Sequence, residues 1–176
     1  VGSGDACRAN PFVVRVETMT LTSRVYSLIV SDVTDGCYGT CLPVFPASAR
    51  ILDVGIGNGA MIKTYHDVIR AKRLSITGLD VDRDYLEHCN RLIRDYGLET
   101  NIHTELTPVE EYNPPAPGYF DCVLFSMSFM LLRDPRLVLR RIRPWLGAGG
   151  QVVFVQTMFR HTSRLLELVK PRLKYV

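Results

Sequence analysis

No stretch of this 176-residue sequence approaches the roughly 18 consecutive apolar residues that a membrane-spanning helix needs. The N-terminal VGSGDACRAN has no basic segment leading into an apolar core, so no secretory signal is expected there. Repeats and low-complexity tracts are absent, which excludes a solenoid or an array. Histidine is scarce, and His66, His88, His103 and His161 each stand on a different element. They do not combine with the pair Cys37 and Cys41 into a four-ligand zinc set, so no metal is expected. The five cysteines, at 7, 37, 41, 89 and 122, are odd in number and irregular in spacing. That excludes a disulfide framework and points to reduced thiols in a cytoplasmic protein. Charge of one sign is lacking too, with a net of +3. Its distribution is uneven, however: ten Lys/Arg against Asp134 and Glu167 from Arg133 onward. Arg136, Arg140 and Arg143 fall on one helix face, a surface for RNA or an acidic partner or simply a solvated face. The solvated face is the preferred reading, and nucleic acid is not favoured as a partner.

What the sequence does contain is alternation. Segments 50–55, 74–80, 101–106, 119–126 and 151–157 are short, apolar and β-branched, as strands buried on both faces are. Between them, Met61, Ile62, Tyr65, Val68 and Ile69 recur at helical spacing, as do Tyr85, Leu86, Cys89, Leu92, Ile93 and Tyr96. Asp82 suits an N-cap and Gly97 a helix C′ position. A further helix opens at Asp134 with Pro135 in its first position and is expected to close at the glycines of LGAGG. Helices are also expected over 23–36 and from His161 to the end. Asp121, opening the strand at 119–126, reads as structural. Strands alternating with helices of this length imply right-handed crossovers and a mostly parallel sheet. The expected fold class is α/β, a three-layer α/β/α sandwich of Rossmann-like type, in a single domain.

The segment ILDVGIGNGA (51–60) places Gly55, Gly57 and Gly59 behind Asp53, at the turn leaving the first strand. Ligands of open parallel sheets bind beyond the carboxyl ends of the strands. Glycine there lets bare backbone approach a ligand and permits positive φ, at a helix start that favours a negative group. Two readings compete. A dinucleotide fingerprint is spaced G-x-G-x-x-G, whereas here the third glycine arrives one residue early. Asp53, buried at the strand end, needs a partner, and an ammonium-bearing ligand suits it where a pyrophosphate would be repelled.

ILDVGIGNGA resembles the first motif of class I S-adenosylmethionine-dependent methyltransferases, and the resemblance continues in order through ITGLDVDRDYLEHC and the stretch from FDCVLFS to QVVFVQT. It covers roughly residues 45–160. The resemblance implies S-adenosyl-L-methionine as cofactor. Asp53, Gly55, Ile56, Gly57, Asn58 and Gly59 would border its methionine part, with Asp53 reaching the amino group through water or a backbone amide. Asp80, ending the second strand, would hold the ribose hydroxyls, and Val81 would offer an apolar face to the adenine. Glu105 would meet the adenine amino group beside the Leu106 amide. Ser126 would sit where cofactor and acceptor meet. Residues 1–44 would be an N-terminal extension and helix forming part of a lid over the domain at 45–176. Tyr38 either lies over the cofactor or packs.

A sulfonium-bound methyl is already activated, so a fixed catalytic triad is not required. His161, just past the last expected strand, is the candidate general base. Met127, Phe129 and Met130 line an acceptor pocket or, preferably, pack a helix onto the sheet. The acceptor is expected to be a small molecule. Asn-Pro-Pro at 113–115 precedes the 119–126 strand and reads as a loop. The family's C-terminal β-hairpin does not appear before Val176, which leaves the last strand as an open edge. Either a longer chain or a homodimer would cover it.

Overall fold

Leu52, Val54, Leu79, Val123 and Phe125 point to one side of the sheet, and Ile51, Ile76, Ile102, Cys122 and Leu124 to the other. That two-sided burial is what the unbroken apolar strands require. The computed structural model describes residues 36–156. Its strands are β1 (Arg50–Val54), β2 (Ser75–Asp80), β3 (Ile102–Leu106), β4 (Phe120–Ser126) and β5 (Leu146–Val155). All pair in parallel, in the order β3-β2-β1-β4-β5. The order reverses between β1 and β4, so the crevice of this α/β sandwich opens beyond their carboxyl ends.

Three helices cover the sheet: α1 (Ala60–Ala71), α2 (Arg83–Asp95) and α3 (Pro135–Ile142). A helical turn over 36–41, α1 and α2 bury Tyr38, Met61, Ile62, Ile69, Leu86 and Leu92 on one face. On the other face α3 buries Val138 and Ile142 beside Trp145 and Tyr112. Local signals work as read. Asp82 accepts the Tyr85 amide at 3.0 Å and Asp134 the Leu137 amide at 2.9 Å. Gly97 follows α2 with φ +61°. Asp121, at the end of β4 remote from the crevice, receives the Arg50 amide at 2.8 Å and its guanidinium at 3.0 and 3.2 Å. It ties the starts of β1 and β4 together.

One expectation fails. α3 does not run to the glycines; it ends at Ile142, and Arg143–Trp145 forms a 3-10 turn. Pro144 lacks the amide hydrogen that another α-helical turn would use. The glycines belong to β5, where Phe120 pairs with Leu146 but Cys122 pairs with Gln151. One β4 residue therefore faces four on β5. A Cβ at Gly147 would come within 3.1 Å of the Gly118 carbonyl oxygen, and Gly149 has φ +79°. The glycines build an irregularity in the ladder, not a helix cap. The helices expected over 23–36 and from His161 onward, and His161 itself, lie outside the described residues apart from Gly36. No helix among the described residues is long and apolar enough to cross a membrane.

Candidate functional site

The turn leaving β1 is held from three directions. The Gly55 and Ile56 amides both donate to the Leu79 carbonyl, at 2.8 and 3.0 Å. The Gly57 amide donates to Asp80 Oδ2 at 2.8 Å, and the Ser128 hydroxyl donates to the Val54 carbonyl. Asn58 Oδ1 accepts the Ala60 amide at 3.1 Å, at the start of α1. All three glycines have positive φ, +81°, +65° and +72°. Expected to share one purpose, they divide. A Cβ at Gly55 would lie 2.6 Å from Ser128 Cβ, and one at Gly59 would lie 2.7 Å from Cys89 Sγ and 3.0 Å from its Cα. Those two are bare because protein packs against them. A Cβ at Gly57 meets nothing within 4 Å, so Gly57 alone turns bare backbone toward open space. Ile56 is buried over Gly78, whose own Cβ would collide with it. Only the main chain of Ile56 is left for a ligand.

Asp53 is 1% exposed. The Tyr38 hydroxyl donates to its Oδ2 at 2.7 Å, and Oδ1 has no hydrogen-bond partner. Burial pushes its carboxyl up to about 7, against the opposing pull of the Tyr38 bond and with a smaller push from Asp80. Cys41, Cys89 and Cys122 lie near enough to feel its charge, and burial first of all drives each thiol to about 12. They are neutral at physiological pH. Among the described residues no cation acts on Asp53. Ser126, 4% exposed, lies beside Tyr38 with its hydroxyl short of hydrogen-bond geometry. Asp53 pairs with Leu124 across β1 and β4, so Asp53 and Ser126 share one face at the switch point. Most buried polar atoms in folded proteins are bonded, so two incompletely satisfied ones on one face at the switch point stand out.

Asp80 ends β2 half-buried, with its Oδ1 accepting the Asp82 amide at 2.9 Å. It thus already clamps the glycine turn, and each oxygen keeps a second lone pair. Val81, 66% exposed, and Leu106, also exposed, present apolar surface at the strand ends. Glu105 is not brought to this place. It pairs with Leu79 across β2 and β3, on the α3 side of the sheet. There it lines a cavity of about 220 Å³ with Thr77, His103 and Tyr112, and its charge helps raise the Tyr112 hydroxyl. The strand alternation that buries Leu79 turns Glu105 away from Asp53 and Asp80. Past β4, Met127 adopts φ +63° and Phe129–Leu131 makes only a 3-10 turn, not the helix expected to pack on the sheet. Phe129 does pack, against Phe125 and Phe154. Met130 and Leu131 are exposed.

The family described as "Methyltransferase domain" matches residues 51–150. The chain belongs to the class I methyltransferase domain family. It is 30% identical over 122 residues to the ubiquinone/menaquinone biosynthesis C-methyltransferase UbiE of Wigglesworthia glossinidia brevipalpis, covering 68% of this chain and 48% of that protein. The chain thus spans about half the length of this relative. A solved S-adenosylmethionine-dependent methyltransferase from Thiobacillus denitrificans, in complex with S-adenosyl-L-homocysteine, is similar at TM-score 0.60 and 19% identity, covering 80% of this chain and 54% of that one. The [4+2]-cyclase SpnF is similar at TM-score 0.56 and 24% identity, over 69% and 43%. Such distant likenesses show the fold alone, and one of them carries out cyclisation.

S-adenosylmethionine is the cofactor of this methyltransferase family, and the residues present fit it. The buried Oδ1 of Asp53 has unused capacity to accept a hydrogen bond from a water or an ammonium, and the side of Gly57 where a Cβ would stand is open. Reading from sequence missed Ser128 and Cys89, which shape the turn from outside. Only the tertiary contact of each with a glycine reveals them. It weighed Tyr38 evenly between cofactor and packing. The tyrosine is buried in the core and bonded to Asp53.

Proposed function

We propose that this protein transfers the methyl group of S-adenosylmethionine to a small-molecule acceptor by in-line displacement. The observation that carries this reading is the buried Asp53, with no cation beside it among the described residues and a glycine turn with one open face next to it. A cationic ligand supplies what Asp53 lacks. The bound cofactor brings a methyl group already activated on positive sulfur. The chain's own residues hold and align. Asp53 takes the amino group, Gly57 lies against the methionine part, and Asp80 receives the ribose hydroxyls on its remaining lone pairs. Val81 and the Leu106 main chain border the adenine. Ser126, at the end of β4, faces the transfer point. The exposed Met130 and Leu131 beside it form an apolar lip, which favours an apolar or aromatic acceptor. The C-methyltransferase relative, named for quinone biosynthesis, agrees with that chemistry. Holding the two reactants in line and excluding water are then the main contributions of the protein.

Calorimetric titration with S-adenosylhomocysteine tests the reading. The wild type should bind, and Asp80→Ala should lose about 2 kcal/mol, as two hydrogen bonds to a charged group disappear. Because Asp80 also clamps the Gly57 amide, the titration is repeated with the 2′-deoxy ligand. A ribose role requires the penalty to shrink for that ligand. An equal loss with both ligands would assign Asp80 to the turn alone.

A further inference from the structure

The helical turn at 36–41 places one side chain in the candidate site, and no sequence motif accounts for it. Tyr38 is 2% exposed, and its hydroxyl is the one hydrogen-bond donor to Asp53 among the described residues. From this geometry, and resting on the function proposed above, we propose that Tyr38 is a positioning residue for the cofactor. By donating to Oδ2 it favours the ionised form of Asp53 and leaves Oδ1 as the acceptor for the ligand's ammonium.

The surroundings of Asp53 make this donor decisive. The ionisable groups facing it are Tyr38 and Cys41 from the helical turn, Cys89 from α2, Cys122 from β4 and Asp80 from β2. Among the described residues none of these is a cation, and Asp80 is an anion. Burial favours the protonated acid, which has no use for an ammonium. Against burial stands a single hydroxyl that bonds the charged form. The same contact explains why a tyrosine fills a deeply buried position. Phenylalanine would fill the same space, and a buried phenol without a partner is costly. Tyr38 itself stays protonated, since burial and the neighbouring Asp53 hold its hydroxyl well above the ordinary range. It can only donate. The N-terminal segment therefore takes part in setting the pH at which the crevice accepts a cation.

The test is calorimetric titration with S-adenosylhomocysteine across pH 6 to 9, for wild type, Tyr38→Phe and Asp53→Asn. Relative to Asp53→Asn, whose profile carries only the titration of the ligand's own amino group, wild-type affinity should rise with pH through about 7 and level off about a unit above, because binding requires Asp53 to be ionised. In Tyr38→Phe the midpoint should move up by about one unit, the worth of one hydrogen bond to the charged form. Affinity at pH 7 should fall several-fold and recover at pH 9. Asp53→Asn should bind weakly and lose the rise that Asp53 causes. A Tyr38→Phe profile that matches wild type, or one lowered equally at every pH, overturns the inference. A merely structural tyrosine gives one of those two results. Should Tyr38→Phe not fold, 3-fluorotyrosine introduced at position 38 is the second variant. Its stronger donation should move the midpoint down, and an unmoved midpoint overturns the inference. Absence of binding by the wild type at every pH would defeat the proposed function, and this inference with it. Wild-type binding with an unmoved variant profile defeats the inference alone.

Discussion

Against α3 the sheet buries Phe120, Phe125, Val123 and Leu79 under Trp145, Tyr112, Val138 and Ile142. The rings meet at ordinary aromatic distances, Phe125 with Phe129 at 5.3 Å and Tyr112 with Trp145 at 5.6 Å. On the face under α1 and α2 the same strands bury Asp53 and Ser126 beside Tyr38, with the thiols of Cys41, Cys89 and Cys122 near enough to feel the Asp53 charge. One face follows the rule that interiors are apolar and closely packed. The other breaks it next to the switch point, and does so with groups that carry charge or unmet hydrogen-bonding capacity. Burying such groups without partners costs stability. The face under α1 and α2 has the larger apolar cluster, yet beside the switch point it carries buried polar groups that the aromatic face lacks.

The sharpest way to break this contrast is to damage the aromatic face alone. Phe125, with no measurable exposure, lies at the centre of the ring cluster. Phe125→Ala should lower unfolding free energy by about 3–5 kcal/mol, measured by denaturant titration. In whatever fraction stays folded, the pH dependence of S-adenosylhomocysteine binding should be unchanged. A shifted pH profile would show that the two faces are coupled and not separate in purpose.

The polar face makes the opposite prediction, in which a substitution stabilises. The Asp53 carboxyl, at about 7 when folded, stands well above its value of about 4 in an unfolded chain. The folded state therefore holds a proton that the unfolded state releases over that range. Stability from this group is present below about 4 and is lost as pH rises toward about 7. Asp53→Asn removes the titration while an amide oxygen still accepts from Tyr38. The ligand-free variant should match or trail wild type at pH 4.5 and exceed it by about 2 kcal/mol at pH 8. That is roughly half of the full linkage, because a buried amide is left unpaired too. Thermal unfolding at the two pH values measures it. A variant less stable than wild type at both would mean that Asp53 is satisfied in the free protein.

The sheet and helices were legible in the sequence because strand burial on two faces and helical periodicity are local patterns. The caps at Asp82 and Asp134 were legible for the same reason. The side of the sheet that Glu105 faces was not legible, because a place at the end of a strand says nothing about it; the register against Leu79 decides that. The glycines of LGAGG misled because a glycine after a helix and a glycine in an irregular strand look alike, and Pro144 had already stopped the helix. Tyr38 was legible only as an alternative. Its partner lies fifteen residues away and depends on how the chain ahead of β1 folds back.

The smallest predicted effect on stability is the finest probe of the comparison, because it lies within a single turn. Gly57 has φ +65°, and nothing lies within 4 Å of the place a Cβ would occupy. Gly57→Ala should cost about 1 kcal/mol of stability, the strain of a left-handed alanine. Packing adds nothing, in contrast to Gly55 and Gly59, where a Cβ collides with Ser128 or Cys89. If Gly57 is bare for the cofactor, the same methyl group intrudes on the ligand, and affinity for S-adenosylhomocysteine should fall at least tenfold, more than that strain implies. Paired unfolding and titration experiments separate the two numbers. Affinity that falls no further than stability would make this glycine a conformational requirement of the turn, and Asp53 would then remain as the feature by which this face of the sheet announces a ligand.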